Sequence, residues 1–229
     1  MFLNRRVLQA EYFDSPMRTP AEVARGYAML NHMNRIFLLT EPYRRILTGF
    51  LGRQNCATLN ILDLGSGDGW LGNRLSRWAE RRGWSWRFTN LDLNPRAASG
   101  HTGRFVTGSV LALPFRDASF DVVIASQMAH HLNTEEEVIT HFREAWRVTR
   151  SAVFLNDLHR NAILYAFVWV LLQLHPFPEH FRSDGTLSVL RSWRVREWRK
   201  LAARAGIPNA RIWLYYGSRV MLMARKSAG

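Results

Sequence analysis

The sequence is poor in the residues that make covalent or metal cross-links. Cys56 is the single cysteine among 229 residues, which excludes an internal disulfide and a thiolate zinc centre. Lysine is almost missing too. Lys200 and Lys226 are the only two, so the remaining 29 of the 31 basic residues are arginine. No apolar run approaches the roughly 20 residues that a membrane-spanning helix requires. The start, Met1-Phe2-Leu3-Asn4-Arg5-Arg6, lacks the apolar centre of a secretion signal. Repeats, low-complexity stretches and Pro/Gly-rich linkers are missing as well. These absences point to one cytoplasmic domain, and 47% hydrophobic with 21% charged residues gives it an ordinary globular balance.

Charge is the unusual property. The formal net charge is +13, spread unevenly: residues 1–60 carry a modest excess of arginine, 61–180 are balanced, and 181–229 hold only two acids, Asp184 and Glu197. A basic tail invites a nucleic-acid reading. Its aromatic residues (Trp193, Trp198, Trp213, Tyr215, Tyr216) fall at helix and strand spacing and form no stacking platform in the sequence. That weighs against RNA.

Residues 1–56 carry apolar positions at helical spacing, through Val23, Tyr27, Leu30, Met33 and Phe37 and again near Ile46 and Phe50. From Leu59 onward short apolar runs take over: Leu59–Leu64, Trp86–Leu91, Arg104–Thr107, Asp121–Ala125, Ala152–Asn156, Ala210–Tyr216 and Arg219–Ala224. Helical patterns lie between the first five. Trp70–Arg82 is one. Thr134–Val148 is another, opened by a capping box from Thr134 and Glu137. Strands alternating with helices predict a doubly wound, mostly parallel seven-stranded sheet of α/β class, with ligands at the carboxyl ends of the strands. The expected organisation is a helical extension (1–56), a ligand-binding core (57–158), an insertion (159–195) and a closing helix and strands (196–229).

After the first run comes Asp63-Leu64-Gly65-Ser66-Gly67-Asp68-Gly69. The glycines let the backbone turn and approach a ligand, and the next helix points its amides there. Pyrophosphate would be repelled by Asp63, whereas an ammonium or sulfonium would be attracted. Asp92, ending the second run, is placed to accept from two ribose hydroxyls. These residues, with Gly108–Val123 and Ser126-Gln127-Met128-Ala129-His130-His131-Leu132, resemble class I S-adenosylmethionine-dependent methyltransferases. The likeness is to the small-molecule branch with ubiquinone/menaquinone-type and natural-product enzymes.

That resemblance implies S-adenosyl-L-methionine as cofactor, leaving as S-adenosyl-L-homocysteine. It implies that Asp63, Gly65, Ser66 and Gly67 hold the methionine end, and that Asp92 holds the ribose. Leu93, Ser109 and Val110 would meet the adenine, while Ser126 and Gln127 line the methionyl side. Ser109 departs from the aspartate often found at its position and would accept from adenine more weakly.

For a phenolic nucleophile a base helps, and His131, His159 and His130 at strand ends are the candidates, in that order. Asp157 is placed to orient His159, to contact substrate, or simply to serve a strand-end turn. No metal is expected. The eleven apolar residues Ala162–Leu172 read as a buried helix or as the lid of an apolar pocket, the following His175–Gly185 as a loop, and Asn34 and Arg35 as candidate groups that cover the site, with a solvated helix end the stronger reading for Arg35. The expected acceptor is a hydrophobic small molecule, a phenol or aromatic polyketide methylated on oxygen. Carbon methylation of a quinone precursor, RNA methylation and a non-catalytic cofactor-binding scaffold are the alternatives, and the apolar insertion admits a transient membrane-surface contact.

Overall fold

Strand β1 (Thr58–Leu64) begins with one face exposed and ends with four consecutive buried residues, the burial expected of a central strand covered on both sides. The computed structural model describes residues 3–15, 17–51, 58–101 and 103–226; Cys56 lies outside them. Around β1 gather β2 (Ser85–Asp92), β3 (Arg104–Thr107), β4 (Phe120–Ser126), β5 (Thr149–Leu158), β6 (Arg211–Tyr215) and β7 (Arg219–Arg225). Among the described residues they form one seven-stranded sheet in the order β3-β2-β1-β4-β5-β7-β6. The first five are parallel, and β7 runs antiparallel between β5 and β6. Register sets Leu64 beside Leu91 and Ala125, and Ser126 beside Asn156, so the carboxyl ends of β1, β2, β4 and β5 share one edge.

Alternation along the strands builds two cores. Ile61, Val122, Ile124 and Phe154 face α2 (Thr40–Leu51) and α3 (Trp70–Glu80). Leu62, Val123 and Val153 face α4 (Glu135–Val148) and α7 (Val195–Arg204). Helix α4 starts with the expected box, Thr134 capping the Glu137 amide and the Glu137 side chain returning to the Thr134 N–H. Tyr43 of α2 is wholly buried and donates to the Ala125 carbonyl at 2.6 Å, fixing that helix beneath β4.

A third, smaller core joins α1 (Pro20–Ile36), α5 (Ala162–Gln173) and α6 (Glu179–Arg191) through Met33, Leu164, Val168, Leu172, Phe181 and Val189. Three expectations change here. The segment expected to be a loop through Gly185 is helix α6, because Gly185 is a packing residue: a Cβ there would stand 2.6 Å from Leu172 Cδ1. Helix α5 buries only the stripe Leu164, Val168 and Leu172 and leaves its other faces open. The strand β3–β4 connection, 108–119, is a loop where a helix was expected, and among its described residues the β2–β3 connection holds a 3-10 turn, Pro95–Gly100, in place of a helix. Ahead of α1, residues 3–15 and 17–18 form a strap with a single 3-10 turn, Tyr12–Asp14, among the described residues.

Candidate functional site

The loop between β1 and α3 turns through Gly65 and Gly67 in the left-handed region. A Cβ on Gly65 would meet Met128 Cγ at 2.3 Å, so this turn has no room for a side chain. Asp92 holds the loop, its Oδ2 accepting from the Gly67 N–H at 2.8 Å and its Oδ1 from the Asn94 N–H at 2.9 Å. Helix α1 closes over it. Asn31 donates to Asp68 Oδ2 at 2.6 Å, and Tyr27 lies against Gly67.

Beneath the loop opens a cavity of about 610 Å³. Asp63, Gly65, Ser66, Gly67, Asp92, Leu93, Ser109, Val110, Ser126 and Gln127 all line it, as does His131. Asp63 is 1% exposed and its Oδ2 has no hydrogen-bond partner. Burial, with the Asp92 charge, pushes its carboxyl up to about 8. An orphaned acceptor of this kind suits an ammonium donor. Leu93 stands 73% exposed in the wall, an apolar surface ready for a flat base. Gln127 adopts φ +52 and donates to Asn34 Oδ1 at 3.2 Å; a non-glycine residue held there is the kind of backbone cost that active sites retain. The site thus fits a nucleoside with a cationic amino-acid arm. Ser109 Oγ is engaged by the Leu111 N–H at 3.1 Å.

The histidines part company. Among neighbours on the 3-10 turn Ala129–His131, His131 opens onto the cavity with 38% of its side chain accessible. Its Nδ1 lies 2.9 Å from Asp14 Oδ1. Burial acts to lower the imidazole pKa, but the Asp14 hydrogen bond and the Glu11 and Asp14 charges outweigh it and raise it. Asp14 responds in kind: against burial, the His131 bond and charge, the Glu11 amide and Arg191 hold it well below the carboxylate range. Arg191 is buried and meets Asp14 Oδ2 at 2.7 Å.

His130 and His159 lie elsewhere. His130 is 3% exposed and does not reach the cavity; its Nδ1 and backbone N–H both engage Asp157 at 2.7 Å. Asp157 therefore braces His130, and the expected link to His159 is replaced. His159 follows a strand whose antiparallel pairing carries it past the cavity, its N–H reaching Ser218 O at 2.9 Å. It lines a separate depression and, by burial and the charges of Arg194 and Arg160, is lowered in pKa. Asn34 lines the cavity as expected, whereas Arg35 is exposed and does not.

The strap also brings together a group of side chains that sequence spacing does not show. Glu11, His130 and His131 bring three ligand-type atoms within 4.8 Å of one another. Glu11 comes from the strap, far away in sequence. The same place receives two guanidinium groups, Arg6 and Arg191, on the His130 carbonyl, and like charge opposes a divalent cation. Sequence reasoning missed Glu11, Asp14, Tyr27 and Asn31. The helical spacing of α1 signalled Tyr27 and Asn31; nothing in the strap signalled its acids.

A family described as a methyltransferase domain matches residues 62–155. A demethylmenaquinone methyltransferase from Roseiflexus castenholzii is 28% identical over 145 residues, 62% of this chain and 57% of that enzyme. The match thus spans little more than half of that relative's length. The fold resembles an S-adenosylmethionine-dependent methyltransferase from Aquifex aeolicus at TM-score 0.61 and 14% identity, covering 91% of this chain and 98% of that one. It resembles human N-acetylserotonin methyltransferase in complex with S-adenosylmethionine at TM-score 0.63 and 15% identity, over 97% and 61% of the two chains. Magnesium protoporphyrin IX methyltransferase from Synechocystis, with bound S-adenosylhomocysteine, gives TM-score 0.53 and 14% identity over 82% and 83%. At these identities the structural likeness concerns the fold.

Proposed function

We propose that the chain, whose residues 62–155 match the methyltransferase-domain family, is an S-adenosylmethionine-dependent methyltransferase of a hydrophobic small molecule, and that the accepting atom is a phenolic oxygen. The observation that carries this reading is one cavity lined both by Asp63, whose buried Oδ2 has no partner among the described residues, and by the Asp14–His131 pair.

S-adenosylmethionine, when bound, supplies an electrophilic methyl group on a sulfonium. Asp63 would take the ammonium, Asp92 the ribose hydroxyls, Leu93, Ser109 and Val110 the adenine, and Ser126 with Gln127 the methionyl arm. What the rest of the protein contributes is mostly position and dryness. Holding two reactants in line lowers a barrier by about 7–11 kcal/mol. Helix α1 covers the glycine loop, and Phe13, Leu30 and Phe181 give the cavity apolar walls. These suit a flat aromatic acceptor.

His131 handles the proton. With Nδ1 donating to Asp14 Oδ1, its Nε2 carries the lone pair that removes the hydroxyl proton of the acceptor. Asp14 stabilises the resulting imidazolium, and Arg191 keeps Asp14 in place. Asp14 is ionised throughout, so it orients and does not itself accept the proton.

The test uses methyl-labelled S-adenosylmethionine and a lysate treated with and without RNase. Label in an organic extract supports the small-molecule reading. RNase-sensitive label overturns it, and no label in either leaves a binding scaffold as the better account. Identification of the labelled product separates oxygen from carbon methylation.

A further inference from the structure

Helix α5 has no charged residue and buries a single stripe. On its outer side Ile163 is 84% exposed, Phe167 54%, Val170 47% and Leu174 75%. The spacing of four, three and four residues lines them along one face. Trp169, half exposed, flanks the row. The patch continues onto the end of α1: the Phe37 ring meets Phe167 edge-on at 6.0 Å, and Leu38 beside it is 66% exposed. Contiguous apolar surface of this kind on a folded chain marks an interaction site.

Where α5 begins, a depression of about 570 Å³ opens between Ala162 and the start of α7. His159, Arg160, Arg194, Arg196 and Arg199 line it, and no acid does. Glu197, the nearest acid, is turned to the buried Arg160 at 2.8 Å and to the Arg194 N–H. Arg194 places one N–H on the Leu3 carbonyl and Arg199 one on the Ile212 carbonyl. Each guanidinium has five N–H donors, so both keep donors for an anion. Tyr216, 75% exposed, stands at the neighbouring turn, which Asn161 ties to the depression through the Gly217 carbonyl.

We propose that this face binds an anionic lipid bilayer, with α5 lying in the interface and headgroup phosphates in the arginine depression. Twelve residues make a helix about 18 Å long, too short to span and long enough to lie flat. Phe167, Val170 and Leu174 enter the acyl boundary, and Trp169 and Tyr216 sit at headgroup level, where amphipathic rings are favoured. Charge selects this occupant. A second copy paired through α5 would bring two arginine depressions together, whereas an anionic surface neutralises them. A nucleic acid would satisfy the arginines and leave the apolar row in water. The proposal is independent of the methyl-transfer reading, because neither the α5 row nor Arg196 and Arg199 touches the large cavity.

The test is sedimentation of the full chain with vesicles of phosphatidylcholine alone and of an equimolar mixture with phosphatidylglycerol. Calorimetric binding of S-adenosylhomocysteine reports separately on folding and on the cofactor site. The expected result is at least tenfold stronger binding to the anionic vesicles, weakened by salt. The double variants Phe167→Asp with Val170→Asp, and Arg196→Glu with Arg199→Glu, each lose it tenfold or more while homocysteine-cofactor binding persists. Should the α5 variant fail to fold, brominated acyl chains decide the matter on the unaltered protein: quenching that Trp169→Phe removes supports insertion. Three results overturn the proposal. They are no vesicle binding by the unaltered protein, a concentration-dependent dimer that the α5 variant dissolves in its place, and stronger binding to single-stranded RNA than to anionic vesicles.

Discussion

A buried carboxylate with nothing to bond to behaves differently before and after a cationic ligand arrives. Asp63, pushed up to about 8, is largely protonated in the cofactor-free protein at neutral pH and must lose that proton to meet an ammonium. Cofactor binding therefore releases a proton below pH 8, and affinity falls about tenfold for each pH unit descended. Calorimetry in buffers of different ionisation heat measures this directly, and Asp63→Asn removes the dependence while weakening binding. For His131 the corresponding variable is rate. His131→Ala is expected to lower turnover about 10²–10⁴-fold with cofactor affinity unchanged. Turnover of the parent should climb with pH through a value above the ordinary 6.5; a flat profile would remove histidine from the reaction. The same pair stabilises the fold within a window. Its contribution is full between the ordinary values of 3.8 and 6.5, lost on acidification as Asp14 protonates, and lost on alkalinisation as His131 gives up its proton. Melting temperature against pH reads both edges, and Asp14→Asn flattens them.

At the scale of elements, caps and turns make separable contributions. Thr134→Ala removes the cap of α4 and should cost about 1 kcal/mol in denaturant unfolding while leaving the cofactor site intact. Gly65→Ala acts on the site itself, because its φ of +64 is left-handed and an added Cβ would clash with the Met128 side chain, leaving no place for a methyl group. Loss of cofactor binding, with a lower unfolding midpoint, is the expected outcome. The strands were legible because their apolar runs are short and bounded, and all seven appear within a few residues of where the pattern puts them, including the edge strands β3 and β6 that are only partly buried. Helix α6 was not legible. Pro176, Pro178 and Gly185 look like loop chemistry, yet Pro178 sits at the N-cap and Gly185 admits Leu172; the role of Gly185 depends on a neighbour the local pattern does not contain. Helix α5 misled in the other direction, since composition alone gives no sign of which face meets protein.

Across the whole molecule the half of the cavity proposed for the cofactor is local in sequence and the half proposed for the acceptor is not. Asp63, Gly65, Gly67 and Asp92 lie within one strand–helix–strand unit, so motif spacing exposes them. Glu11 and Asp14 reach the cavity on a strap held by long-range bonds: Arg6 to the carbonyls of His130 and Leu132, and Leu3 O to Arg160 and Arg194. No periodicity announces such contacts. Deleting the first fifteen residues should accordingly abolish turnover and leave S-adenosylhomocysteine binding within severalfold of the parent, a difference that calorimetry and a label assay resolve together. The three cores carry the same division. The sheet's two cores exclude α1, α5 and α6, which share their own cluster of Met33, Leu164, Val168, Leu172, Phe181 and Val189. Phe181 carries that cluster to the cavity wall, so a substitution there alters the wall proposed for the acceptor without touching the packing behind Asp63 and Asp92. Selection, natural or in the laboratory, can therefore explore new acceptors on a chassis whose cofactor chemistry is inherited unchanged.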